Sequence, residues 1–141
     1  MNGRISVGDT FKLSRMVSDD DVIMFAEVTG DKNPLHLDDE YAKTTMFGER
    51  IAHGMISAGI ISGAIGMHFP GKGTTYLGQN LKFVNPVRIG DTITVSLEVE
   101  SIVSKSRFDI AEIKTVCTNQ DGVVIMDGMA TVIPPIVKEI A

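Results

Sequence analysis

The stretch from Gly54 to Phe69, which reads GMISAGIISGAIGMHF, contains no Asp, Glu, Lys or Arg. Large aliphatic residues, methionines and small residues surround the whole circumference of a helix drawn through it. A helix that is apolar on every side is normally enclosed by the rest of its protein. The stretch is too short for a membrane span, which needs about 20 predominantly apolar residues. The sequence therefore predicts one long helix, buried on all sides and ended by the turn residues Pro70-Gly71.

Strand patterns on both sides of this helix predict the sheet that encloses it. In the clearest pattern, apolar residues from Ile93 to Val99 alternate with Thr, Ser and Glu, as in a strand with one buried face. The predicted strands are residues 10–17, 74–84, 92–103, 108–118 and 123–133, and the last four are expected to form a meander. Helices followed by a run of strands indicate an α+β fold with a mostly antiparallel sheet. We expect residues 1–141 to form a single domain.

Composition excludes several classes of function. The net charge of -5 and the pI of about 5.1 argue against nucleic-acid binding. One cysteine, Cys117, rules out an intrachain disulfide and indicates a reducing compartment. The N-terminal residues MNGRISVGDTF lack the apolar segment of a secretory signal. The expectation is a cytoplasmic protein without a nucleic-acid or membrane partner.

A shorter helix is predicted just after the first strand. Ser18 precedes three aspartates and is a candidate N-cap, and Thr29-Gly30 is a candidate end. Its predicted apolar stripe consists of Val22, Phe25, Ala26 and Val28. This helix leads directly into the most polar part of the chain.

That polar part is a loop carrying Asp31 and His36. Between them, Asn33-Pro34 favours a turn or an extended loop over helix. Asp38 then caps a short predicted helix over residues 39–44. Loops held by rigid elements are where catalytic groups tend to lie, so the Asp and the His are candidates for proton transfer.

Each candidate also has a structural interpretation. An isolated aspartate after glycine is usually a turn residue, and an isolated histidine is usually structural. His53, just before Gly54, is interpreted as a helix-entry residue in preference to a second site group. Four residues could in principle bind a metal, but they lack a spacing such as HExxH, so we expect no metal. They are His36, Asp38, Asp39 and His53.

Three segments resemble the MaoC-like, (R)-specific enoyl-CoA hydratase family, which has the hot-dog fold. They read FAEVTGDKNPLHLDDEYA, RIAHGMISAGIISGAIG and PGKGTTYLGQNLKFVNPVRIGDTITVSLEV. The resemblance implies a homodimer whose two sheets join, with acyl-CoA bound at the subunit interface. By position, Asp31 and His36 match the catalytic pair. Gly54 matches the backbone donor to the thioester carbonyl, and Ser62 matches a polar residue lining the site.

The implied chemistry fits these residue types. Hydration of a trans-2-enoyl-CoA to an (R)-3-hydroxyacyl-CoA needs an oxyanion stabiliser, a base for water and a proton for the α-carbon. Backbone N–H groups at the helix start, at Gly54, can supply the first. We assign the base to Asp31, while His36 positions the water and donates or relays the proton. No cofactor is expected, because CoA is part of the substrate.

Further substrate contacts and other functions stay open. Asn33, Ser62 and Ile65 are candidate substrate-binding residues, although Asn33 could brace the loop and Ser62 could bond to a helix carbonyl. The first alternative function is a dehydratase of a branched or carboxylated acyl-CoA, or of an acyl-carrier-protein thioester. The second is a non-catalytic acyl-CoA-binding subunit, against which the Asp31 and His36 pair argues.

Overall fold

In the computed structural model, which describes residues 4–136, five strands form one antiparallel sheet packed against a long helix. In chain order, the strands are β1 (Thr10–Met16), β2 (Thr75–Phe83), β3 (Thr92–Ser104), β4 (Asp109–Thr118) and β5 (Val124–Ile133). The helices are α1 (Asp19–Thr29), α2 (Pro34–Leu37), α3 (Asp39–Lys43) and α4 (Gly54–Met67). The predicted α+β class is confirmed, and a sheet wrapped around one central helix is the hot-dog fold.

The core lies between the sheet and α4. The alternation predicted for β3 is confirmed, because its apolar residues from Ile93 to Val99 are buried. Ile61 and Ile65 of α4 are also fully buried and belong to the same apolar cluster. Burying a large aliphatic side chain contributes roughly 1.5–3 kcal/mol. This packing fixes α4, and therefore its first residue, relative to the sheet.

The prediction that the central helix is buried on all sides is wrong for the single chain. Met55 is 52% exposed and Met67 is 72% exposed. The exposed positions of α4 are Met55, Gly59, Ser62, Gly63, Gly66 and Met67. One sheet can cover only one side of a helix, and no other element among residues 4–136 encloses the opposite side.

The predicted four-strand meander is also partly wrong. The sheet order is β1-β3-β4-β5-β2, so β2 pairs with β5 and lies at the opposite edge from β1. Only β3, β4 and β5 form a meander. The connection from β2 to β3 passes the start of α4, where the Ala52 N–H donates to the Val87 carbonyl at 2.7 Å. The pairing of β2 with β5 shifts register between Tyr76 and Gly78.

Two local predictions around α1 need correction. Ser18 and Asp21 form the capping box that starts the helix, and Gly30 ends it at φ 78°, as predicted. Val28 does not belong to the buried stripe, because it is 85% exposed. Asn33 and Pro34 start the short helix α2 instead of an extended loop. Proline is tolerated at the first helical position, where its missing N–H has no helical partner to lose.

No helix in the described range 4–136 is long and apolar enough to cross a membrane.

Candidate active site

Asp31 lies at the junction of α1 and α2. Gly30 turns the chain in the left-handed conformation, which glycine adopts without steric cost. The Asp31 Oδ1 atom accepts the Asn33 N–H at 3.3 Å, and Asn33 Oδ1 accepts the Leu35 N–H at 3.1 Å. These two bonds hold the turn while the Asp31 side chain stays exposed. A carboxylate held this way can still accept a proton from a bound molecule.

His36 is buried, and one of its ring nitrogens is committed to the backbone. Its Nδ1 lies 2.7 Å from the Ile51 carbonyl oxygen. A carbonyl oxygen can only accept, so Nδ1 carries the proton and Nε2 of the neutral ring keeps a lone pair. The backbone of His36 is also fixed, since Arg50 Nε donates to its carbonyl at 2.7 Å. Arg50 in turn contacts Asp19 at 2.6 Å, which links α2 to α1.

Gly54 opens α4 without a side-chain cap. The preceding residue, His53, occupies the N-cap position but makes no capping hydrogen bond. The first N–H groups of a helix have no partner one turn back within the helix. Here the Ile56 N–H donates to the His53 carbonyl at 3.1 Å, and the Gly54 N–H, at the very start of the helix, is the candidate to bind an oxygen atom. A Cβ at Gly54 would lie 2.6 Å from the Phe83 ring. An alanine at this position would therefore require the Phe83 ring to move, a constraint that the sequence did not reveal.

Asp31, His36 and Gly54 line one cavity of about 430 Å³. The remaining lining is mostly apolar and comes from the segment before α4, the start of α4, the end of β2, the connection after it and β5. It consists of Phe47, Ile51, Ala52, His53, Met55, Phe83, Val84, Asn85, Pro86, Val87 and Ile125. A helix N-terminus thus faces the same space as a carboxylate and an imidazole. Such a space can polarise a carbonyl and move a proton beside it.

His53 is the site residue whose position the sequence analysis missed. It stands at the helix entry, as predicted, but it also lines the cavity and is only 2% exposed. Its Nε2 lies 2.9 Å from the Asp31 carbonyl oxygen. Its ring stacks on the His36 ring at a centroid distance of 3.9 Å. Its place next to Gly54 was the available signal, because a residue that flanks the predicted oxyanion donor is expected to lie near the predicted site.

The same cluster has the spacing of a possible cation site. One ligand atom each from Asp31, His36 and His53 lie within 4.8 Å of one another. The two other residues considered from the sequence are not part of it, and Asp38 instead caps α3 through the Tyr41 N–H. One nitrogen of each imidazole already lies against a backbone carbonyl. The absence of a metal stays a prediction.

The three predicted substrate contacts lie in different places. Ser62 is exposed and lines a second cavity of about 500 Å³, which also includes Asp31 and Met55. The Asn33 side chain caps α2, which matches its interpretation as a bracing residue. Ile65 is fully buried in the core and lines neither of the two cavities that Asp31 lines. The structure therefore brings Ser62 close to the Asp31 loop and leaves Ile65 behind the helix surface.

Comparison with known proteins agrees with this geometry. The sequence profile of the MaoC like domain matches residues 5–121. An (R)-specific enoyl-CoA hydratase from Rhodospirillum rubrum is 44% identical over 93% of this chain and 89% of its own length. A 3-hydroxybutyryl-CoA dehydratase from Methylorubrum extorquens is also 44% identical, over 93% of this chain and 82% of its own length. The unliganded R-hydratase PhaJ1 from Pseudomonas aeruginosa superposes with a TM-score of 0.88 at 42% identity, covering 97% of this chain and 88% of that one.

Proposed function

Since the chain belongs to the MaoC-like domain family, we propose that it is an (R)-specific enoyl-CoA hydratase, a hydro-lyase. It adds water reversibly to trans-2-enoyl-CoA and gives (R)-3-hydroxyacyl-CoA. The observation that carries this proposal is the single cavity shared by Asp31, His36 and the first residue of α4. No other cofactor is needed, because the substrate brings the CoA and the chain brings the proton-transfer groups.

The Gly54 N–H is the proposed donor to the thioester oxygen. As water adds to the β-carbon, the double-bond electrons move toward the carbonyl and negative charge develops on its oxygen. An uncapped helix start offers N–H groups and a favourable dipole to that charge. One well-placed donor of this kind is worth about 3 kcal/mol in the transition state.

Asp31 and His36 handle the water. A water between them donates one O–H to the carboxylate and the other to His36 Nε2, which is free because Nδ1 faces the Ile51 carbonyl. The water oxygen bonds to the β-carbon as its proton passes to Asp31, and the pair returns one proton to the α-carbon. Both groups lie on the same side of the substrate, which gives syn addition.

The working unit is proposed to be a homodimer. The face of α4 that carries Met55, Ser62 and Met67 is uncovered in the single chain, and β2 is a free edge of the sheet. Exposed strand edges and apolar surface favour association with another chain. A second subunit lying over this face would enclose the cavity that contains Ser62. The acyl-CoA would then bind between the two subunits.

A hydration assay tests the proposal directly. Purified protein mixed with crotonyl-CoA should lower the absorbance of the conjugated thioester, and chiral chromatography should find the (R) product. A series of acyl lengths, with the same acyl groups on acyl-carrier protein, measures carrier and chain preference. Release of free thiol would indicate a thioesterase instead. Binding without turnover on every thioester would exclude a hydratase and leave a binding subunit.

A further inference from the structure

We propose that His53 is a positioning residue that holds the proton-transfer pair and the oxyanion donor at a fixed separation. The proposal rests on the hydratase function above. His53 directly precedes Gly54, and its buried side chain contacts both Asp31 and His36. One imidazole therefore connects the proton-transfer pair, Asp31 and His36, to the proposed oxyanion donor, Gly54.

The first connection is a hydrogen bond to the Asp31 loop. His53 Nε2 lies 2.9 Å from the Asp31 carbonyl, which can only accept. Nε2 must therefore carry the proton, and Nδ1 of the neutral ring carries none. The Asp31 side chain itself is exposed and is held by one 3.3 Å bond from Asn33. The bond from His53 fixes the Asp31 backbone against the residue that starts α4.

The second connection is a stack of rings. The centroid of the His53 ring lies 3.9 Å from the centroid of the His36 ring, and the two ring planes make an angle of 30°. The Phe25 ring of α1 also contacts it, at 4.7 Å and 53°. The orientation of His36 is therefore set by two contacts, the Ile51 carbonyl at Nδ1 and the His53 face. Any rotation of His53 moves the base, the imidazole and the oxyanion donor relative to one another.

The third observation concerns two buried atoms without partners. Within the part of the chain that the structure describes, His53 Nδ1 and Ser57 Oγ are buried and make no hydrogen bond. Ser57 is four residues further on, and residues four apart share one face of a helix. Buried polar groups are nearly always satisfied, often by an internal water. One water that accepts from the Ser57 O–H and donates to His53 Nδ1 would satisfy both and hold His53 in the tautomer that the Asp31 bond requires.

The activity test uses two substitutions that separate the two contacts. His53→Gln keeps an N–H at the Nε2 position and loses the ring. His53→Phe keeps a ring and loses the donor. We expect His53→Phe to lower kcat about 10- to 100-fold with KM within about threefold, because misplacement of reacting groups by 1 Å costs on this order. His53→Gln should recover kcat to within about fivefold of the wild type, because it restores the bond to the Asp31 carbonyl while the Ile51 carbonyl still orients His36.

Matched controls come from the other end of the helix. His68, just after α4, is exposed and its ring stacks on Phe11 at 5.4 Å. His68→Phe and His68→Gln should leave kcat and KM unchanged. Equal kcat for His53→Phe and His68→Phe would overturn the proposal, as would a loss of kcat in His53→Phe that His53→Gln fails to restore.

A spectroscopic test needs neither substitution nor turnover. Nitrogen-detected NMR of the wild-type protein, at a pH at which both imidazole rings are neutral, should find His53 protonated at Nε2 and His36 protonated at Nδ1. An Nδ1-protonated His53 would overturn the proposal even if every variant folded poorly. An inactive wild type with the expected tautomers would instead refute the hydratase function and leave the connection between Asp31 and His53 intact.

Discussion

The two ends of α4 each carry a histidine, and the contrast between them shows what makes a residue functional. His53 is 2% exposed, bonded to the Asp31 carbonyl and stacked on His36. His68 is exposed, and its ring stacks on the Phe11 ring of β1. The first end faces Asp31 and His36, while the second faces Phe11, a β1 residue that packs against the core. Enclosure by other segments, not residue type, separates the two.

The largest expected effect is at the enclosed end. Asp31→Asn should lower kcat by about 10²- to 10⁴-fold, the usual contribution of a general base. The free energy of unfolding should stay close to that of the wild type, because the Asp31 side chain is exposed. Steady-state kinetics with crotonyl-CoA and a thermal melt measure both quantities.

Asp38→Asn is the matched control for that substitution. Asp38 caps α3 and lines neither cavity of the site, and asparagine caps helices as well as aspartate does. Its kcat should equal that of the wild type. A fully active Asp31→Asn would show that Asp31 is not the base. The functional difference between the two ends of α4 would then be lost as well.

Glycines along α4 give the next largest effect, with opposite signs expected for two of them. Gly54→Ala places a Cβ 2.6 Å from the Phe83 ring, so the ring must move. We expect a loss of about 1–3 kcal/mol in the free energy of unfolding, as in other overpacked sites. Urea denaturation measures this loss, and a fall in kcat should accompany it because the oxyanion donor shifts.

Gly63→Ala is the comparison. Apart from the adjacent backbone of α4, no atom of residues 4–136 lies within 4 Å of a Cβ built at Gly63. Alanine favours helix over glycine by about 1 kcal/mol, so stability should rise by up to that amount. A loss of stability at Gly63 would mean that another surface packs closely on the exposed face of α4. Equal changes in the free energy of unfolding for Gly54→Ala and Gly63→Ala would show that the two positions do not differ in packing.

The smallest effect is expected at Ser62, between the two ends. Ser62 shares its cavity with Asp31 but lies outside the cavity that holds Gly54. Ser62→Ala should raise KM about fivefold with kcat nearly unchanged, the value of one ordinary hydrogen bond of about 1 kcal/mol. Initial-rate kinetics across acyl lengths measure it. A large fall in kcat would instead place Ser62 beside the reacting atoms.

Local patterns predicted the elements and the site better than they predicted the pairing. The alternation from Ile93 to Val99 indicates a strand, and the sharp start of the apolar stretch at Gly54 indicates where α4 begins. Both signals are encoded in adjacent residues. The pairing of β2 with β5 is not encoded locally, because either edge of the meander offers the same backbone groups. The resemblance pointed to Asp31, His36 and Gly54, which the structure brings to one cavity.

The features that could not be predicted from the sequence depend on contacts between distant segments, which form only on folding. His53 was interpreted as a helix-entry residue because its contacts with Asp31 and His36 come from segments 22 and 17 residues away. Composition showed that α4 is apolar all round, but not that the sheet covers only part of it. Ile65 was expected beside the substrate, whereas the orientation of α4 directs it into the core.

The edge positions of β1 and β2 have a consequence for synthesis on the ribosome. Among residues 4–136, β1 pairs with β3 alone, with Thr10 opposite Glu98, and β2 pairs with β5 alone, with Thr75 opposite Ile133. During synthesis, β1 therefore leaves the ribosome long before its partner β3 has been made. β2 cannot pair until β5, near the end of the chain, has been made. Chains exposed in this way carry unpaired edges that invite aggregation. Nascent chains halted after Thr118 should depend on chaperones, while the finished chain should not.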